Sequence, residues 1–143
     1  MKKALLVIIL AFLAAVPSIA GAEDEIVVIT ARPPADRVTA KTLERIYLKR
    51  KILWSDGQRI VPVNLPANHP LRAAFTKRIL KRSHGALVEY WNERHFNGVH
   101  PPVVVESEEA VKRFVREVDG AVGYISRSSL EPGIEVIFTI PRE

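Results

Sequence analysis

The sequence predicts an α/β domain with a mostly parallel, mixed five-stranded sheet flanked by helices, and three observations predict it. Short β-branched runs alternate with amphipathic stretches in the order β-α-β-α-α-β-α-β-β, the pattern of an α/β sandwich. Helical stretches open on capping residues, Thr39, Ser83 and Ser107. In Val115 to Ser126, VREVDGAVGYIS, a charged helical pattern stops at Asp119-Gly120 and runs directly into a short apolar run that reads as a buried strand.

Residues 25–30, EIVVIT, form a β-branched first strand. A loop stiffened by Pro33 and Pro34 follows. Thr39 caps a helix running through Tyr47 and Leu48, with Leu43, Ile46 and Tyr47 on one face. Asp56-Gly57 marks a turn tip, and residues 60–63 form the second strand. After the loop NLPANHP, Pro70 suits the first turn of a helix whose buried face holds Leu71, Ala74, Phe75 and Ile79. Ser83 opens the next helix, which groups Leu87, Tyr90 and Trp91 and points to a core role for the two aromatics rather than a stacking platform with Phe96. Residues 103–105 are the third strand. Ser107 caps a helix with Glu108 and Glu109 in its first turn, where carboxylates complement the dipole, and with Val111, Phe114, Val115 and Val118 as its apolar stripe. Gly120 ends that helix because a residue just past a helix often needs positive φ. Gly123, inside the fourth strand of residues 121–125, suggests a bulge or a close backbone approach. Residues 134–140 are the fifth strand.

The first 22 residues read as a secretory signal peptide: a basic start at Lys2-Lys3, an apolar run over residues 4–16, and a small-residue cleavage site after Ala22. The apolar run is shorter than the ~20 residues of a spanning helix, and no later segment is apolar enough to span. Residues 23–143 then form a single domain in the periplasm, with no membrane span after cleavage. The absence of cysteine excludes disulfides and thiolate chemistry. The net charge is +5, and removing Lys2 and Lys3 with the leader leaves about +3. Much of the excess lies in Lys49-Arg50-Lys51 and in Lys77-Arg78 with Lys81-Arg82. These runs read either as solvated helix faces or as an attraction for anionic ligands. Nucleic acid is not expected, since the compartment and the motif spacing both speak against it.

Four stretches resemble the phosphate-type periplasmic substrate-binding family of ABC transporters. TLERIYLKRKILWSDGQRIVPVN is similar to its L-x-x-I-F-x-G-K-x-x-x-W-x-D-G-x-x-I-x-P-V segment, and LRAAFTKRIL to the helix that follows. YWNERHFNGVHPP and VDGAVGYIS resemble its Y-W-x-x-x-x-F-x-G-x-x-x-P-P and G-A-I-G-Y signatures, as in short one-lobe members. The resemblance implies a single lobe of a type II periplasmic binding fold, with Gly120, Ala121 and Gly123 keeping a central strand thin beneath a helix. The chain departs from the family in three places. There is one lobe's worth of residues, no Ser-Gly-Thr run stands where NLPANHPLRAAF lies, and Tyr47 and Lys49 replace the usual Phe and Gly.

The leading site candidate is the loop-to-helix junction, where Asn64, Asn68, His69 and Arg72 surround a helix start suited to an anion. The competing reading is a connector in which Asn68 or His69 only caps the helix. Arg32, Ser126 and Arg127 follow the first and fourth strands and are expected at the same sheet edge, either as a shallow basic patch or as solvated loop residues. His69, His84, His95 and His100 lack metal-ligand spacing, no catalytic constellation is visible, and no cofactor is expected. Two functions stand. One is an exported solute-binding-like domain that takes phosphate or another small anion weakly, or with a second copy or another protein completing the cleft. The other is a non-catalytic module that has lost ligand binding and docks on an envelope sensor or transporter protein.

Overall fold

The computed structural model describes residues 24–142, so the leader and its cleavage point lie outside the described residues. Five strands, β1 (Ile26–Thr30), β2 (Val61–Asn64), β3 (Val103–Val104), β4 (Ala121–Ser126) and β5 (Glu135–Ile140), form one sheet in the order β3-β2-β4-β1-β5. The helices are α1 (Ala40–Tyr47), α2 (Pro70–Phe75), α3 (His84–Phe96) and α4 (Glu108–Glu117). α2 widens into a π-type turn, Thr76–Leu80, which ends on Lys81 in the left-handed conformation at φ 52°.

β2 runs parallel to β3 and β4, whereas β1 lies between β4 and β5 and is antiparallel to both. The mixed sheet therefore has one opposing strand. That strand changes the geometry expected from the sequence. The loop after β1, with Arg32, lies at the end of the sheet where β4 begins, not where β2 and β4 finish. Thr30 accordingly donates its hydroxyl to the carbonyl of Ala121, at the start of β4.

Local chemistry sets most element boundaries. Thr39 and Thr42 form a reciprocal capping box on α1, and Ser83 and Ser107 accept from the third N–H of α3 and α4. α1 buries Leu43, Ile46 and Tyr47, as its spacing predicts, and each of its two aliphatic side chains contributes roughly 2 kcal/mol by burial. The Tyr47 hydroxyl bonds the carbonyls of Val63 and Val122, so the hydroxyl that a Phe would lack joins α1 to β2 and β4. Burial pushes its phenol well above the usual tyrosine range, and it stays a neutral donor.

The two glycines of the segment that ends α4 have separate reasons. Gly120 takes φ +77°, and a Cβ there would stand 1.9 Å from the Arg59 carbonyl oxygen. At Gly123 a Cβ would meet Val111 of α4 at 2.5 Å and Val63 of β2 at 2.9 Å. This is the close approach rather than the bulge; the sheet's register shift falls between Val28 and Ile29, opposite β5. α4 is also clasped to the loop before β5: Lys112, 2% exposed, pairs with Glu109 and Glu131, and Arg116 pairs with Glu131.

α3 differs from its expected role. It contains no buried residue; Leu87, Tyr90 and Trp91 are half-buried and lean on the core from outside. α3 is 13 residues long, and it packs one side against the core while its other side has no covering layer among the described residues. Trp54 is instead buried at the Asp56-Gly57 turn, with the Lys51 ammonium over its ring.

Candidate functional site

β2, β3 and β4 are parallel, so their carboxyl ends gather the loop 65–69, the start of α4 and the turn after Ser126 at one end of the sheet. Tyr124 is the centre of this end. Its ring stacks on Phe75 at 4.1 Å and tilts against Tyr47 at 5.9 Å. Its hydroxyl donates to Asn64 Oδ1 and also meets the Leu65 N–H. Desolvation raises the Tyr124 phenol far above its ordinary value, while the Leu65 N–H and the Arg72 charge act the other way. Asn64 and Arg72 are thus brought together around a tyrosine that the site reasoning from sequence did not include.

The helix start is capped. The Nδ1 atom of His69 accepts from the Leu71 N–H at 3.2 Å, Pro70 has no N–H, and the Arg72 and Ala73 N–H groups reach the His69 carbonyl at 3.0 and 3.2 Å. His69 therefore caps the start of α2. Arg72 donates Nη1 to the Leu65 carbonyl at 2.8 Å, and Asn68 is exposed on the loop.

Ser126 and Arg127 meet internal carboxylates. Glu108 Oε2 accepts from the Ser126 N–H at 2.7 Å and from its hydroxyl at 2.6 Å, placing a carboxylate of this chain where an oxyanion would use those donors. Arg127 pairs with Glu25 and donates to Thr139 Oγ1 at 3.0 Å. Glu108 reads from sequence as a helix-start residue; that it also reaches back to β4 depends on a contact between elements. Arg32, at the opposite end, lines a small recess with Gln58, Arg116 and Asp119.

A second concavity lies off the sheet, between the α2 segment and α3. It encloses about 770 Å³ and is lined by residues of both helical segments, among them Arg72, Lys81, Arg82, Leu87, Val88 and Trp91. The basic run Lys77-Arg78 with Lys81-Arg82 was its signal in the sequence, although sequence alone did not show that Lys77, Lys81 and Arg82 border Leu87, Val88 and Trp91 of α3. Among the described residues no group of three or more His, Asp or Glu is arranged to hold a metal ion, and no helix is long and apolar enough to cross a membrane.

The architecture is one lobe of a type II periplasmic binding fold. Solved structures of phosphate-transport binding proteins share it. One from Clostridium perfringens, described as a phosphate ABC transporter substrate-binding protein and solved with bound phosphate, is 20% identical, with a TM-score of 0.65 over 80% of this chain and 44% of that one. An ABC-type phosphate transport receptor from Vibrio cholerae is 22% identical, with a TM-score of 0.62 over 80% of this chain and 45% of the receptor. PstS from Borrelia burgdorferi is 16% identical, with a TM-score of 0.61 over 80% of this chain and 46% of PstS. The chain thus spans less than half the length of these proteins, the first two of which are named as a substrate-binding protein and a transport receptor. No protein-family model matches the sequence, and no curated relative does.

Proposed function

We propose that this chain is a non-catalytic, exported lobe of the substrate-binding type that acts in the periplasm by docking on an envelope protein, not by clamping a free anion alone. One observation carries the reading: the donors at the carboxyl end of the sheet are matched internally, Ser126 by Glu108, Arg127 by Glu25 and the α2 start by His69. An anion entering there would compete with a tethered carboxylate and a built cap. The leader-like residues 1–22 support export. The likeness to phosphate-transport proteins supports a partner among transporter or sensor components, with residues 23–143 as one domain.

A second reading, weak capture of phosphate, is favoured by Arg72, which lies beside Tyr124 with one guanidinium nitrogen on a carbonyl and no carboxylate paired to it among the described residues. Thermal melts in phosphate and sulfate at constant ionic strength separate the two. Docking without capture predicts no saturable rise in Tm. A saturable rise that Arg72→Ala abolishes would replace it with capture, because a ligand binding only the folded state stabilises it by mass action.

A further inference from the structure

The concavity between the α2 segment and α3 combines features that the sheet end lacks. Its volume of about 770 Å³ falls within the range of small-molecule sites. Leu87, Val88 and Trp91 supply an apolar wall in which Val88 is 47% exposed while Leu87 and Trp91 are half-buried against the core. Arg72, Lys81 and Arg82 supply cations around it. Among the described residues, no Asp or Glu lines it. The carboxylate whose charge reaches Arg82, Glu44 on α1, is already held by Lys41 at 2.7 Å.

The wall is also braced. Trp91 meets Tyr90 edge-on at 4.9 Å. Tyr90 donates its hydroxyl to the Leu48 carbonyl at 2.6 Å and carries the guanidinium groups of Arg50, Arg82 and Arg94 within 6 Å of its ring. Lys81 sits in a left-handed conformation at the end of a π-type turn, a backbone arrangement unfavourable for a residue with a Cβ. The turn thereby keeps a lysine at the groove where a glycine would fit the backbone more easily.

We infer that this groove is a binding site for a soluble amphipathic organic anion, one with an aromatic or aliphatic body against Leu87, Val88 and Trp91 and a carboxylate or sulfonate head toward Lys81 and Arg82. An apolar wall alone would take neutral compounds, and a cation cluster alone would take inorganic anions. Their combination selects a molecule with both parts. The site borders the sheet end at Arg72 but does not depend on the docking function proposed above.

The test uses the full chain purified after export, with anilinonaphthalene sulfonate as the anionic probe and phenylnaphthylamine as its neutral counterpart. The expected result is saturable one-to-one binding of the sulfonate, with the neutral compound at least about tenfold weaker, or ~1.4 kcal/mol. Lys81→Gly combined with Arg82→Gln is expected to weaken sulfonate binding by a similar factor. Val88→Asp, at an exposed position, puts a like charge on the wall and gives the same loss without disturbing the core. Arg32→Gln, at the far end of the sheet, leaves binding unchanged. Equal binding of the neutral probe overturns the assignment. So does wild-type affinity in the Val88→Asp variant, unsaturable binding, or binding seen only with phosphatidylglycerol vesicles and not with the free probe.

Discussion

The end of the sheet and the groove beside α3 carry similar side chains and use them in opposite ways. At the sheet end Arg127 and Ser126 face Glu25 and Glu108, and the start of α2 is filled by His69. Beside α3, Lys81 and Arg82 border an apolar wall that no acid lines among the described residues. A cation near its own carboxylate is mostly spent on holding the chain together, whereas a cation facing an apolar wall keeps its field for something that arrives. Net charge alone does not distinguish these cases; the partner of each charge does.

The largest effect should come from breaking the sheet end at its foundation. Gly123→Val forces a branched side chain against Val111 and Val63, and is expected to cost about 3 kcal/mol, read from chemical denaturation. A loss under about 1 kcal/mol would mean that α4 moves off the sheet easily. Glu108→Ala comes next. Removing the acceptor of two Ser126 donors is expected to cost about 2 kcal/mol and, in the same variant, to create a saturable rise in Tm with phosphate that the wild type lacks. Destabilisation without any phosphate response would show that an emptied sheet end still does not suit an oxyanion.

Lys49→Gly gives a smaller effect of opposite sign. Lys49 has φ 57°, where glycine is at ease, and burial beside Arg59 lowers its ammonium pKa. The substitution should therefore stabilise by about 1 kcal/mol, and an unchanged or lower denaturation midpoint would count against strain at this position. The gentlest test concerns the clasp on α4. Hydrogen bonds from Arg116 and Lys112 hold the Glu131 carboxyl below its usual pKa of 4.5, so its contribution is present above that value and is lost as pH falls through the lower folded value. Glu131→Gln should flatten the acid limb of a stability-versus-pH curve. An unchanged limb would assign acid sensitivity to other carboxylates.

Element by element, the helix starts at Thr39, Ser83 and Ser107 and the strands around them were legible in the sequence, whereas α4 stops at Glu117 with Val118 extended, and Gly120 takes its positive φ in the turn that follows rather than as the residue just past the helix. Each depends on a residue and its neighbours within one turn: an oxygen at the right offset, a positive φ, an apolar period. The α4 face was readable for the same reason, and the one-lobe likeness carried by stretches within residues 42–126 agrees with the solved structures. The site was less legible. Asn64 and Arg72 do gather at one end, but Arg32 does not, and Ser126 and Arg127 are engaged by carboxylates.

What the sequence determined by itself was therefore the set of elements, their caps and the need for glycine at two positions. The tertiary structure decided the direction of β1, inserted between β4 and β5, and with it the end of the sheet that receives Arg32. It also decided that Glu108 answers Ser126, 18 residues away, that Glu25 answers Arg127 across 102 residues, and that Lys81 and Arg82 border the wall made by α3. The reason is physical. A cap or a period is settled by torsions and hydrogen bonds within a few residues, whereas strand direction and charge pairing are settled by which distant surfaces pack together and exclude water between them.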